Sequence, residues 1–212
     1  MSTNINALAN HLADACYIFL LVNFLFGVYC VIMVWRRVAQ LRFRSQEAES
    51  EFTGNLQTLL AARDYDTAVQ MCDFDFRALP RLTLLLLANR NYSYEKLRQF
   101  AAEAMQRDIL ADLEHRLSWI ATVIKNGPLL GLFGTVLGMM ASFGRIGTGE
   151  KVQPSVIAED ISIALICTAM GLATAIPLGY ILANLTIRVR KLQEALGSGL
   201  SQVLENFRTG AR

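Results

Sequence analysis

Three stretches of this chain contain no Asp, Glu, Lys or Arg: Ala15–Trp35, Asn126–Gly144 and Ile161–Ile187, of 21, 19 and 27 residues. About 20 apolar residues carry a helix across a ~30 Å hydrocarbon layer. Inside that layer each backbone N–H and C=O must be paired within its own segment, which leaves helices or closed barrels. Runs of this length read as helices, so the expected fold is all-α with three transmembrane passes. Charge content agrees: 18% of the residues are charged, against roughly 25% in an ordinary soluble domain. The greasy run Leu82–Ala88 is too short to cross and reads as part of a water-exposed domain's core.

Charge placement orients the spans. No Lys or Arg precedes the first span, Arg36, Arg37, Arg42 and Arg44 follow it at once, and Arg188, Arg190 and Lys191 follow the third. The positive-inside rule then predicts residues 1–14 outside, a first span over 15–35, an inner helical domain over 36–125 and a second span over 126–146. A short outer loop over 147–160, a third span over 161–187 and an inner tail over 188–212 complete the layout. The first fourteen residues lack the basic region of a cleaved signal peptide, and no A-x-A site follows them.

Inside the inner domain, helices are expected over Ser45–Ala62, over Tyr65–Cys72 with Asp64 as its cap, and from Pro80 to Asn89. From Tyr94, capped by Ser93, no Pro or Gly appears until Gly127. This predicts one unbroken helix running from the inner domain into the second span.

Two rows of small residues carry the functional question. Gly131, Thr135, Gly138 and Ser142 share one face of the second span, and Ala164, Thr168, Gly171, Ala175 and Gly179 share one face of the third. Such faces suit close helix packing, with each Thr hydroxyl bonded back to the carbonyl one turn earlier, or the wall of a narrow polar passage. The apolar cores hold no Asp, Glu, His, Lys or Arg, the groups that normally relay protons at membrane depth. Either the chain moves no ions or another chain supplies the titrating group. Asn23 in the first span reads as an interhelical hydrogen-bonding residue.

Other chemistry finds little support. Cys16, Cys30, Cys72 and Cys167 show no C-x-x-C spacing and read as small packing residues; His11 and His115 stand alone. No metal or cofactor site follows, nor a nucleophile–base constellation for an enzyme. The basic residues lie beside the spans and alternate with acids, so nucleic-acid binding is not expected.

P-L-L-G-L-F-G-T-V-L-G-M (Pro128–Met139), followed by A-L-I-C-T-A-M-G-L-A-T-A-I-P (Ala164–Pro177), resembles the ExbB/TolQ/MotA proton-channel family, in its three-span ExbB/TolQ branch. The resemblance implies a stator subunit of the bacterial inner membrane, with a periplasmic N-terminus and a cytoplasmic C-terminus. It also implies a homopentameric ring around a central pore. Two copies of an ExbD/TolR-like single-span partner, bearing a membrane Asp, would occupy that pore. Thr135 and Thr168 match the family's two pore threonines, with Gly131, Gly138, Ser142, Ala164, Gly171 and Ala175 as pore-face packing residues. One position departs: the family commonly carries Glu five residues before the second threonine, where this chain has Ile163. Glu159 and Asp160 lie one turn nearer the outer mouth, either with a role there or as acids favouring a helix N-terminus. Lys125 stands at the inner mouth, and membrane lipids are expected partners of Lys125 and of the Arg36/Arg37 pair. The alternative is a non-conducting membrane scaffold whose small faces serve packing alone.

Overall fold

The computed structural model describes the backbone of residues 2–43, 45–147 and 153–210, and the side chains of 15–207 apart from 44, 46, 145 and 148–152. The described residues are helical and turn structure, without a strand. In chain order the helices are α1 (Ser2–Leu41), α2 (Gln46–Ala61), α3 (Tyr65–Asp73), α4 (Ala78–Ala88), α5 (Tyr94–Ala104), α6 (Ala111–Gly147) and α7 (Pro154–Gly210). A π-helical turn, Met105–Leu110, joins α5 to α6. Three helical stretches are long and apolar enough to cross a membrane: Ala15–Leu41, Tyr94–Gly144 and Pro154–Phe207. Parts of the expected outer segments, residues 148–152 and the side chains of 1–14, lie outside the described residues.

The chain divides into two compact units. The first contains α1 up to Ile32 together with Leu117–Ala183 of α6 and α7. Along α1 the inward positions are Cys16, Leu20, Gly27 and Cys30, all buried, with Asn23 half-buried between them. Their alternating spacing of four and three keeps a single stripe on one face. The Asn23 amide donates to the Val123 carbonyl of α6 at 3.1 Å, the interhelical bond its position suggested. The opposite face carries Ile18, Phe19, Leu21, Val22 and Leu25, each more than half exposed. That arrangement is stable only where the surroundings are themselves apolar.

The second unit, Met33–Arg116 with the residues from Asn184 on, has a leucine core. Leu56, Leu60, Leu79, Leu86, Leu87, Leu113 and Leu192 are each at most 2% exposed. Leu82, Leu86 and Leu87 of the short greasy run lie in this core, as expected of a segment too short to span. Ser45 caps α2 by accepting from the Ala48 N–H, and Asp64 caps α3 by accepting from both the N–H and the hydroxyl of Thr67. Those two bonds, the hydroxyl first, hold the Asp64 carboxyl below its ordinary value. The corner between α2 and α3 turns on Arg63, whose φ of 57° is left-handed. The Arg63 and Asp64 N–H groups bond back to the Leu60 and Leu59 carbonyls, which closes α2 in a Schellman motif.

Four local expectations are corrected. Helix α4 starts at Ala78, not Pro80; Pro80 is tolerated there because the first-turn N–H groups have no intrahelical partner to lose. Ser93 precedes α5 but its side chain makes no capping bond. The run from Tyr94 is helical throughout yet not one α-helix, because Met105–Leu110 adopts the wider π winding. Helix α7 begins at Pro154, so the segment expected as an outer loop is helical from that residue. Glu159 and Asp160 therefore fall beyond the first turn, which contains no acid. A helix dipole acts chiefly on the first turn, so a dipole-stabilising role does not fit them.

Candidate functional site

Within the first unit, the two small-residue faces meet each other. A methyl group built on Gly131 would lie 2.7 Å from the Cys167 carbonyl oxygen and 2.9 Å from the Thr168 Cα. One on Gly171 would lie 2.5 Å from the Gly127 carbonyl oxygen, and one on Gly138 would lie 2.7 Å from the Ala164 Cβ. Side-chain carbon essentially never approaches so closely, so α6 and α7 touch through their backbones and only glycine fits. Ala175 is buried at the Gly127 end of this seam, and Ser142 is 2% exposed at the other. The expected stripe ends there: Gly179 has open space where its side chain would be.

The seam brings Thr135 and Thr168 together. Thr135, 6% exposed, lies within 3.1 Å of the Gly131 carbonyl one turn earlier and within 3.1 Å of the Ala164 carbonyl across the seam. The Thr168 hydroxyl, in a half-buried residue, reaches the Gly131 carbonyl at 3.1 Å, and the two hydroxyls also hydrogen-bond each other. Each hydroxyl owns one proton and two lone pairs. Two protons serve these four contacts, so the expected bond back to the preceding turn is within reach of Thr135, and the Gly131 carbonyl of the neighbouring helix is within reach of Thr168. The pair is polar and uncharged, and it sits where neither helix offers a carboxylate.

Around this pair the remaining candidates separate. The Ser142 hydroxyl is within 3.2 Å of Asp160 Oδ2 and 3.1 Å of the Gly138 carbonyl. Asp160, Ala164 and Thr168 repeat every fourth residue along α7, so Asp160 belongs to the seam. Glu159 and Lys125 are exposed and stand outside it. The Ile163 side chain is 48% exposed, while its carbonyl accepts a 3.0 Å bond from the Tyr17 hydroxyl of α1. Sequence reasoning missed Gly127, Gly134 and Tyr17. Gly134 faces Cys167 Sγ and Cys16 Cβ at 3.0 and 3.5 Å from an added methyl. Gly127 lies one turn before Gly131, so extending the stripe by four would have found it. Nothing in the spacing marked Tyr17.

An all-helical protein with three membrane-length helices and a glycine-closed, hydroxyl-bearing seam is thus defined as a multi-pass membrane class. The model of the MotA/TolQ/ExbB proton channel family matches residues 77–197, more than half of the chain and all of the seam. Over 99 residues the chain is 36% identical to the Tol-Pal system protein TolQ of Haemophilus influenzae, covering 47% of this chain and 43% of that protein. It is 45% identical over 85 residues to the biopolymer transport protein ExbB of Aquifex aeolicus, covering 40% and 55% respectively. A putative biopolymer transport protein, ExbB-like 2 of Helicobacter pylori, is 36% identical over 83 residues, covering 39% and 55%. The matched region spans about half the length of these relatives.

The chain belongs to the MotA/TolQ/ExbB proton channel family, within its ExbB/TolQ group. This is a transport family, and membership together with the three apolar helices makes the chain a multi-pass inner-membrane protein.

Proposed function

We propose that this chain is the ring-forming subunit of an inner-membrane motor that converts proton motive force into mechanical work. In this reading the N-terminus lies in the periplasm and the second unit in the cytoplasm, which the arginines after the first span support. Five copies surround a central pore, and two copies of an ExbD/TolR-like partner place single spans within it. Each partner span supplies the membrane Asp that this chain lacks. A proton descending ~100 mV releases about 2.3 kcal/mol from the electrical term, which is available to turn the partner pair within the ring.

The observation that carries this reading is the Thr135–Thr168 pair, two hydroxyls adjoining within charge-free runs that hold no carboxylate of their own. The half-buried edge of Thr168 can present a lone pair or a proton to a partner carboxylate as it loads and unloads. Asp160, held at Ser142, extends the polar file toward the periplasmic mouth, with Glu159 exposed outside it; Lys125, also exposed, reaches headgroup phosphates at the cytoplasmic mouth.

A second reading, a non-conducting scaffold, draws on the fact that Gly131, Gly138 and Gly171 are fully engaged in packing. The two separate in one experiment. The chain is co-expressed with an ExbD/TolR-like single-span protein, and the pair is reconstituted in vesicles under an imposed proton gradient. Thr135→Val and Thr168→Val should each abolish proton uptake while the assembly keeps its subunit count. Uptake at the parent rate in the double variant would leave the scaffold reading standing.

A further inference from the structure

The second unit contains a basic cleft of about 660 Å³ that no feature of the proton path explains. Its wall brings Arg36 and Arg37 of α1 together with Arg81 of α4 and Arg116 of α6, opposed by Asp108 and Asp112. Asp112 is divided between two of these cations: Arg116 Nε donates to it at 2.9 Å and Arg37 Nε stands 3.6 Å away. Asp108 accepts from Arg107 at 2.9 Å, and that guanidinium holds its carboxyl below the ordinary range. The four arginines exceed the two aspartates by two positive charges, and among the described residues no contact ion pair holds Arg36 or Arg81, although Arg81 lies near enough to Asp108 to help lower its carboxyl.

The position of the cleft narrows its ligand. Met33, inside the charge-free run, also lines it, so the cleft opens where the membrane-length stretch of α1 gives way to charge. Trp35 marks the same level, with the Arg188 guanidinium stacked on its ring at 4.2 Å. Tryptophan and arginine together are characteristic of the headgroup layer. A neighbouring hollow shares Arg37, Gln40 and Arg81, and its rim carries Phe74 and Phe76, 87% and 90% exposed. Two bare phenyl rings beside a cationic cleft suit an interfacial surface, in which the rings enter the acyl boundary while the arginines hold phosphate. Guanidinium groups, planar and donor-rich, match a phosphate's oxygens better than ammonium groups do.

We infer that this cleft is a binding site for the phosphodiester headgroup of an anionic phospholipid, with Arg36 and Arg81 as its principal ligands and Asp112 as a carboxylate that competes with the phosphate for Arg37 and Arg116. It requires only that α1 crosses a membrane, and stands whether or not the chain conducts protons. The phosphate chemistry is shared by a free anion and a lipid; the apolar approach through Met33 and the two phenylalanines selects the lipid.

The test uses the full chain in detergent, with its partner if the two co-purify, and native mass spectrometry during titration with phosphatidylglycerol. Arg81→Gln is the informative variant, because Arg81 lies far from the spans in sequence and does not set their orientation. It should weaken phosphatidylglycerol binding about fivefold, the share of one basic residue at a membrane surface. Asp112→Asn should tighten it, since a competing carboxylate is neutralised; a merely structural role for Asp112 would weaken it. Phosphatidylethanolamine should bind more weakly than phosphatidylglycerol, and 10 mM inorganic phosphate should leave the bound lipid in place. Equal binding of the two lipids, or parent-like binding by Arg81→Gln, would overturn the assignment. Full displacement by inorganic phosphate would make this a site for a soluble anion. A changed subunit count in Arg81→Gln with lipid binding intact would make it a contact between copies of the chain.

Discussion

In the α6–α7 seam, Gly127, Gly131 and Gly171 allow a carbonyl oxygen and a Cα to lie where side chains usually stand. In the second unit the helices are held apart by Leu56, Leu79, Leu86 and Leu113, each almost wholly buried. Its buried glycine shows the same contrast: a methyl on Gly199 would meet only the Leu79 side chain, at 2.8 Å. Water accounts for the difference. A leucine core gains free energy by leaving water, whereas in hydrocarbon a leucine gains nothing by exchanging lipid for protein. Membrane helices must therefore find their stability in close contact and hydrogen bonds. That is why hydroxyls and glycines cluster in one region and leucines in the other.

Substitutions that exchange the two rules probe this contrast most directly. Leu86→Ala should have the largest effect, lowering the stability of the second unit by about 2–5 kcal/mol through lost burial and a cavity. Thermal unfolding in detergent would read it, and an unchanged midpoint would deny this core its role. Gly131→Ala should cost about 1–3 kcal/mol by overpacking, because its obstacles are backbone atoms that cannot rotate away. Cross-linking between cysteines placed on α6 and α7 would report the widened seam. Gly199→Ala should change stability by less than about 1 kcal/mol, since Leu79 can shift rotamer and alanine favours the helix. Losses of equal size at Gly131 and Gly199 would erase the distinction drawn between the regions.

The smallest effect concerns pH. The Thr67 bonds lower the folded-state pKa of Asp64, so the stability they confer is complete above the ordinary value of 3.8 and vanishes as pH falls through the depressed one. In Asp64→Asn the acid limb of helix loss, followed by circular dichroism, should be shallower than in the parent.

Much of this architecture was legible because its causes are local. Charge-free length announced the spans, and Ser45 and Asp64 announced the starts of α2 and α3. Glycine and threonine spacing identified the seam residues before any partner was known. What stayed hidden depends on three dimensions. The π turn at Met105–Leu110 changes winding without leaving a mark in composition. Tyr17 reaches a carbonyl 146 residues away. The spacing of Thr135 and Thr168 placed each on a face, but only the fold shows that the two faces oppose one another.

The threonine pair has a further property. Two protons are shared among two carbonyls and two hydroxyl oxygens, all within reach of at least one rotor. More than one pattern of donation therefore fits the same heavy-atom frame. Moving between patterns takes only torsion about a C–O bond, with no helix displaced. A polarity that reverses by spinning hydroxyls can follow an approaching charge far faster than a subunit can turn.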